Sequence, residues 1–329
     1  MPTAVICGVT GQDGAYLAQL LLSKGYRVVG TSRDAGAPRS RNLEQLGIAD
    51  QVPIVSAALT DFRSVVQLLT KYPPDELYNL AGQSSVSLSF EQPVETLESI
   101  GHGAVTLLEA IRFFGRPIRF FNAGSAECFG ESPMPCDEQT PFRPRSPYGV
   151  AKTTAYWAAL NYREAYGLYA CTGILFNHES PLRPPRFVTR KIVAAACRIA
   201  AGSDETLYLG NIDVQRDWGW APEYVDAMWR MLQLDEPRDI VIGTGFTCSL
   251  SDFVASAFQQ VGLDWRRHVE SNADLIRPLE IRRGHGNPAL ARELLAWEAT
   301  VRGEQVVARM IRAEQKLQSG QPLACADLC

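Results

Sequence analysis

A chain of 329 residues is long enough for one large folded unit or two domains, since domains commonly run to ~100 to 200 residues. With 46% hydrophobic and 21% charged residues, its composition excludes a disordered chain. The formal net charge of -4 supplies no basic field, so nucleic acid is not an expected partner and any phosphate must be held by local donors.

The opening Met1 to Cys7 has no basic stretch leading into a long apolar one. No later run approaches the ~18 apolar residues of a membrane helix. The expectation is a cytoplasmic protein without a membrane partner. Up to residue 176, short β-rich runs alternate with longer amphipathic stretches. Strands are predicted at Ala4–Cys7, Arg27–Thr31, Val52–Val55, Glu76–Leu80, Ile118–Asn122 and Tyr169–Leu175, with helices at 14–24, 61–71, 94–114 and 147–166. That βαβ alternation predicts an α/β fold built on a doubly wound parallel sheet of Rossmann type. Residues 1–176 are assigned to a dinucleotide-binding domain, with a returning segment near 212–245. After 176 the regularity fades, Pro and Arg cluster over Glu179–Arg190, and an amphipathic helix follows near 303–316. Residues 177–211 and 246–329 are assigned to a smaller, mixed α/β substrate-binding domain. The eight cysteines show no metal-site spacing, so reduced thiols and no metal are expected, with Cys325 and Cys329 in a polar tail that could be disordered.

Directly after the first strand stands Gly8-Val9-Thr10-Gly11-Gln12-Asp13-Gly14, running into the helical Ala15 to Leu22. Glycines let such a turn tighten, and the N–H groups and dipole of the new helix suit a pyrophosphate. The spacing departs from the usual G-x-G-x-x-G. After the second strand come Arg33 and Asp34. A carboxylate there holds the ribose hydroxyls of NAD, whereas Arg accepts the extra phosphate of NADP. Arg39 and Arg41 add positive charge, so NADP is expected, with NAD as the alternative.

The fifth strand ends in Asn122-Ala123-Gly124-Ser125-Ala126-Glu127-Cys128, placing a hydroxyl and a carboxylate two residues apart at the edge of the sheet where ligands bind. Ser125 is suited to hydrogen-bond an oxygen being oxidised, and Glu127 to move a proton on the adjacent carbon. Cys128 is read as packing. Tyr148 and Lys152, four residues apart, share one face of a predicted helix. The ammonium is expected to lower the phenol from its ordinary value of ~10, making it a usable base.

Together, the glycine turn, Asn79-Leu80-Ala81-Gly82-Gln83-Ser84, Ser125-Ala126-Glu127 and Tyr148-x-x-x-Lys152 resemble the extended short-chain dehydrogenase/reductase superfamily. The runs Pro144 to Gly149, Gly173 to Pro181, Phe187 to Lys191 and Gln215-Arg216-Asp217-Trp218-Gly219 resemble, within it, the GDP-mannose 4,6-dehydratase family. The resemblance implies transient oxidation at C4 of a sugar on a nucleotide, elimination of water across C5 and C6, and return of the hydride to C6. Ser125, Glu127, Tyr148 and Lys152 would carry the chemistry.

By the same resemblance Lys152, His178 and Arg183 contact the cofactor, Asp61 neighbours its adenine, and Leu80, Ala81, Gln83 and Ser84 wall its nicotinamide ribose. Ser84, Asn177, Lys191, Arg216, Arg277 and Glu280 join Ser125 and Glu127 against GDP-mannose or a related nucleotide sugar. A homodimer or homotetramer is implied, with helices 94–114 and 147–166 pairing across a two-fold axis. The chain departs from the family at Asp34-Ala35, at Gly82, at Ala126 where Ser is usual, and at Ala296-Trp297-Glu298-Ala299. A 4-epimerase or 4-ketoreductase of the same superfamily, or a dehydratase of another nucleotide sugar, stands as the alternative. The first two need no acid at Glu127.

Overall fold

The computed structural model describes residues 1–34, 36, 40–321 and 323–328. Six strands, β1 (Thr3–Cys7), β2 (Arg27–Ser32), β3 (Ile54–Ser56), β4 (Glu76–Asn79), β5 (Arg119–Ala123) and β6 (Ala170–Leu175), lie in the predicted half of the chain. Beyond them run β7 (Asn177–Glu179), β8 (Leu207–Leu209), β9 (Gln215–Arg216), β10 (Trp218–Trp220), β11 (Ile240–Ile242), β12 (Cys248–Ser249) and β13 (Val269–Ser271).

The main sheet has the order β11-β6-β5-β4-β1-β2-β3, and its pairings are all parallel. Strand order reverses between β1 and β4, which opens a crevice at their carboxyl ends. Central parallel strands are covered on both faces, which is why a run such as Ala4–Cys7 is continuously apolar. β11 joins this sheet from far along the chain, and the helix Ala221–Met231 packs on the helix Gln12–Ser23. A second apolar cluster forms from the helices Val188–Ala200, Leu250–Gln260 and Glu304–Gln318, through Ile192, Phe253, Phe258, Val307 and Met310. Three two-stranded pairings, β7 with β10, β8 with β13 and β9 with β12, complete the strands.

Several predicted elements shift. The strand expected at Val52–Val55 forms at Ile54–Ser56, the residues that pair with Gly30–Ser32 of β2. The helix expected over 94–114 is interrupted by a π-helical turn, Glu98–His102. The C-terminal tail is ordered at its described residues. Asp327 accepts from Lys316 Nζ at 2.6 Å and Leu328 is buried, so the described end of the tail packs against the helix Glu304–Gln318. Cys329 and the side chain of Cys325 lie outside the described residues, as do Ala35 and Arg39. Among the described residues, no helix is long and apolar enough to cross a membrane.

Candidate active site

The glycine turn packs against its own backbone and against β4. Gly8 adopts φ +85°, and a Cβ there would meet Ala81 N and Leu80 O at 2.9 Å; at Gly14 it would lie 2.3 Å from Gly8 O. Both positions therefore require glycine. Gly11 does not. Its φ is -74° and a Cβ would find only Gly8 O at 3.4 Å. Gln12 and Asp13 open the helix and turn toward β7. Gln12 Nε2 donates to His178 O at 3.2 Å, Gln12 Oε1 accepts from Ser180 Oγ at 2.8 Å, and Asp13 Oδ2 lies 3.0 Å from His178 Nε2. Burial raises the Asp13 carboxyl, but the charge and hydrogen bond of His178 outweigh it and hold it at about 2. Burial works against a charged His178, while Asp13 and a 2.7 Å contact with Phe176 O raise its pKa overall.

Around the turn, Thr10 O accepts from Asn42 Nδ2 at 3.0 Å, tying it to the helix Arg41–Gln45. Arg33 extends outward to Glu95 at 3.4 Å, and Asp34 Oδ1 accepts from Gly36 N at 2.8 Å. Asp61 caps the helix Phe62–Lys71 by accepting from Arg63 N. Gln83 Nε2 donates to Ser85 O at 2.7 Å, fixing the loop after β4. Gly82 there has φ +126° and a Cβ would lie 2.7 Å from Ile100 Cγ1, so glycine is structurally demanded at this departure from the family.

Ser125 lies two residues beyond β5 and caps the short 3-10 turn Ala126–Cys128, its Oγ accepting from Glu127 N at 3.2 Å. Ser146 caps the helix Pro147–Tyr166 by accepting from Gly149 N at 3.0 Å, which sets Tyr148 in the first turn and Lys152 one turn on. A Cβ on Gly149 would lie 2.8 Å from Glu127 O, so the helix can approach the Glu127 turn closely only with glycine there. Lys152 Nζ donates to Ala123 O at 2.7 Å and sits 5.7 Å from the Tyr148 ring centroid.

The electrostatics depart from the expectation for this pair. Burial, the largest influence, pushes the Tyr148 phenol above its ordinary value and the Glu127 charge adds to it, against a hydrogen bond with Ser125. Burial also brings Lys152 down to about 8. Desolvation thus outweighs the stabilisation of phenolate by a nearby ammonium. Cys128 is buried, its thiol pushed up to about 11 by burial, as befits a packing residue.

These groups face one cavity of about 370 Å³. It is lined by the four predicted catalytic residues and by every predicted substrate contact: Ser84, Asn177, Lys191, Arg216, Arg277 and Glu280 besides Ser125 and Glu127. Asp13, Leu80, Ala81, Gln83, His178 and Arg183 line it too, whereas Gly8, Thr10, Gly11, Gln12, Gly14, Arg33 and Asp61 lie outside its lining. Glu280 stands between two guanidiniums, 3.5 Å from Arg277 and 3.9 Å from Arg216. Arg277 Nε also donates to Ser87 Oγ at 3.2 Å, spanning 190 residues. Burial lowers Arg216, against the charge of Glu127. Arg183 lies 3.2 Å from the buried Glu179 and stacks over Phe187, 3.7 Å from its centroid. Sequence reasoning missed Arg186, Tyr208, Asn211 and Arg283, which also line the cavity. The Arg282-Arg283 doublet so close to Arg277 was the available signal.

Residues 5–310 match the profile of the GDP-mannose 4,6 dehydratase family. The chain is 44% identical to GDP-mannose 4,6 dehydratase 1 of Arabidopsis thaliana, covering 95% of this chain and 90% of the relative. It is 40% identical to the GDP-mannose 4,6-dehydratase of Vibrio cholerae, covering 94% and 93%. In structure it resembles the dTDP-glucose 4,6-dehydratase of Streptomyces venezuelae solved with NAD bound, with a TM-score of 0.86, 20% identity, and coverage of 97% and 98%.

Proposed function

Because the chain belongs to the GDP-mannose 4,6-dehydratase family, we propose that it converts GDP-mannose to GDP-4-keto-6-deoxymannose and water. The observation that carries this reading is that Glu127 faces the same cavity as Ser125, Tyr148 and Lys152. Oxidation at a carbinol carbon needs the last three, and an epimerase or ketoreductase needs no carboxylate beside them. Tyr148 takes the O4 proton while Ser125 hydrogen-bonds the same oxygen and the Lys152 ammonium favours the phenolate. A nicotinamide, when bound, would supply a hydride acceptor for C4 and a hydride donor for C6. The 4-ketone makes the C5 proton acidic, because the enolate spreads charge that an unactivated carbon could not. Glu127 takes that proton, the C6–O bond breaks, and C5 is reprotonated after hydride reaches C6. In net terms, the O4 proton and the C6 hydroxyl leave as water.

The residues fit a nicotinamide dinucleotide. Gly11 has no internal contact that demands glycine, and the N-terminus of the helix Gln12–Ser23 beside it would suit a pyrophosphate. Gly8, Thr10, Gln12, Asp13 and Gly14 shape that turn, Leu80 to Ser84 flank the nicotinamide ribose, and His178, Arg183 and Lys152 complete the cofactor side. NADP is the preferred form. Arg33 is 89% exposed, and Asp34 Oδ1 accepts from Gly36 N within its own turn, which leaves only Oδ2 for a ribose. Asn177, Lys191, Arg216, Arg277 and Glu280 hold the nucleotide sugar, the guanidiniums suiting a diphosphate. The domain halves divide as residues 1–176 with 212–245, and 177–211 with 246–329. A homodimer or homotetramer is proposed through the helices of 94–114 and 147–166, where Val94, Leu97, Val150 and Trp157 are exposed.

Incubating the purified protein with GDP-mannose and following the product mass tests the reaction. Loss of one water without added NADPH is expected. Unchanged mass with altered configuration would mean epimerisation, and no turnover would turn attention to other nucleotide sugars. Equal or tighter binding of NAD than NADP would overturn the cofactor preference.

A further inference from the structure

The cations facing the cavity differ in how fully the protein already partners them. Arg183 pairs with Glu179, Arg216 and Arg277 flank Glu280, and Lys191 Nζ donates to Tyr208 O at 2.7 Å. Arg283 is held differently. Its Nη2 lies 3.0 Å from His285 Nδ1, and among the described residues no carboxylate pairs with it. A guanidinium carries only donors, so Nδ1 is the acceptor in this contact and the ring proton belongs on Nε2. That nitrogen faces Gly245 O at 3.4 Å. The tautomer therefore satisfies both ends of the ring.

The backbone around Arg283 is fixed as well. Gln215 N donates to Arg282 O at 2.7 Å and Gly284 N donates to Gln215 O at 2.9 Å, so Arg283 sits opposite Gln215 in a parallel bridge. The next residue on that strand is Arg216, which lines the same cavity. A rigid backbone and an imidazole tether thus present a guanidinium at the cavity with most of its donors unspent. Such a group matches a diphosphate, which accepts several charge-assisted hydrogen bonds and neutralises the cation.

We propose that Arg283 is a further binding residue for the diphosphate of the nucleotide sugar, and that His285 is its positioning residue. The assignment rests on the nucleotide-sugar reading of the cavity. Calorimetric titration with GDP and with guanosine tests it on the wild type, Arg283→Ala, His285→Ala and His285→Gln. Arg283→Ala should weaken GDP about tenfold, the loss of a hydrogen-bonded charge pair, and leave guanosine within about twofold. His285→Ala should weaken GDP less, and His285→Gln should restore it, because the amide oxygen again accepts from Arg283. Equal losses for both ligands in Arg283→Ala, or unchanged GDP affinity in that variant while the wild type binds GDP, would overturn the assignment. A wild type that binds guanosine but gains nothing from the diphosphate would also overturn it. A wild type that binds neither ligand would overturn the nucleotide-sugar reading and the assignment with it.

Discussion

Asp13 Oδ2 lies 3.0 Å from His178 Nε2, joining the glycine turn to a strand 165 residues further along the chain. The contact is partly buried, His178 stacks on Tyr224 with centroids 4.4 Å apart, and Gln12 ties the same two segments through Ser180 and the His178 carbonyl. These contacts thus tie the glycine turn to the segment of β7 through side chains from both.

Replacing Asp13 with Asn should lower the free energy of unfolding by on the order of 2 kcal/mol in mildly acidic solution. The Asp13 carboxyl ionises below its ordinary value, so its contribution is present above its unfolded pKa and fades as pH falls through about 2. The His178 pKa is raised, so its contribution is complete below its unfolded value of ~6.5 and fades as pH rises through the higher folded value. The pair matters most between those limits. Urea unfolding of wild type and Asp13→Asn at pH 5.5 and pH 9 should give a smaller gap at pH 9; a gap independent of pH would contradict the ion pair.

Glu127→Gln should separate the two halves of the reaction. The amide cannot take the C5 proton, but Ser125, Tyr148 and Lys152 remain to support oxidation at C4. Reduced nicotinamide should build up in a single turnover, while release of dehydrated product falls by ~10² to 10⁴, the usual worth of a positioned base. Stopped-flow absorbance with product mass measures both. Dehydration at the wild-type rate would remove Glu127 from the proposed role.

How far the sequence reveals the site depends on how local each arrangement is. The glycine turn, the Ser125–Glu127 turn and the Tyr148–Lys152 face are each set within one strand end or one helix turn, so spacing suffices. The sheet is legible for a similar reason, since strands buried on both faces read as apolar runs. Spacing brings Tyr148 and Lys152 together but says nothing of desolvation, which pushes both groups toward their neutral forms. Arg283 and His285 gain their meaning from pairing with Gln215 and Gly245, contacts made across tens of residues. The docked tail likewise depends on Lys316 meeting Asp327, which no periodicity announces.

Lys152 should impose an alkaline limb on catalysis. Burial lowers its pKa to about 8, against the opposing influence of Cys128 and Asp13, so the ammonium is lost as pH rises through that value. Because the charge favours the Tyr148 phenolate, kcat/KM should fall through the same range. In Lys152→Arg, the guanidinium stays charged, so the variant should be slower overall but lack this limb. A profile of kcat/KM from pH 6 to 10 for both proteins decides the matter; a limb that survives in Lys152→Arg would assign it to another group.

Ala296 offers a test in which stability should rise. It ends the helix Ala289–Leu295 in the left-handed region, at φ 47° and ψ 41°, where an L side chain costs roughly 1 to 2 kcal/mol relative to glycine. The neighbours hold it there: Arg230 Nη1 donates to Leu295 O and Ala296 O at 3.0 and 3.1 Å, and Trp297 Nε1 donates to Glu223 O at 3.0 Å. Ala296→Gly relieves the backbone strain and keeps those bonds, although glycine gives back part of the gain through the greater freedom of its unfolded chain. The net expectation is a stabilisation of about 0.5 to 1 kcal/mol, seen as a higher urea midpoint with an unchanged slope. A lower midpoint would mean that the alanine methyl makes packing contacts worth more than the strain it causes.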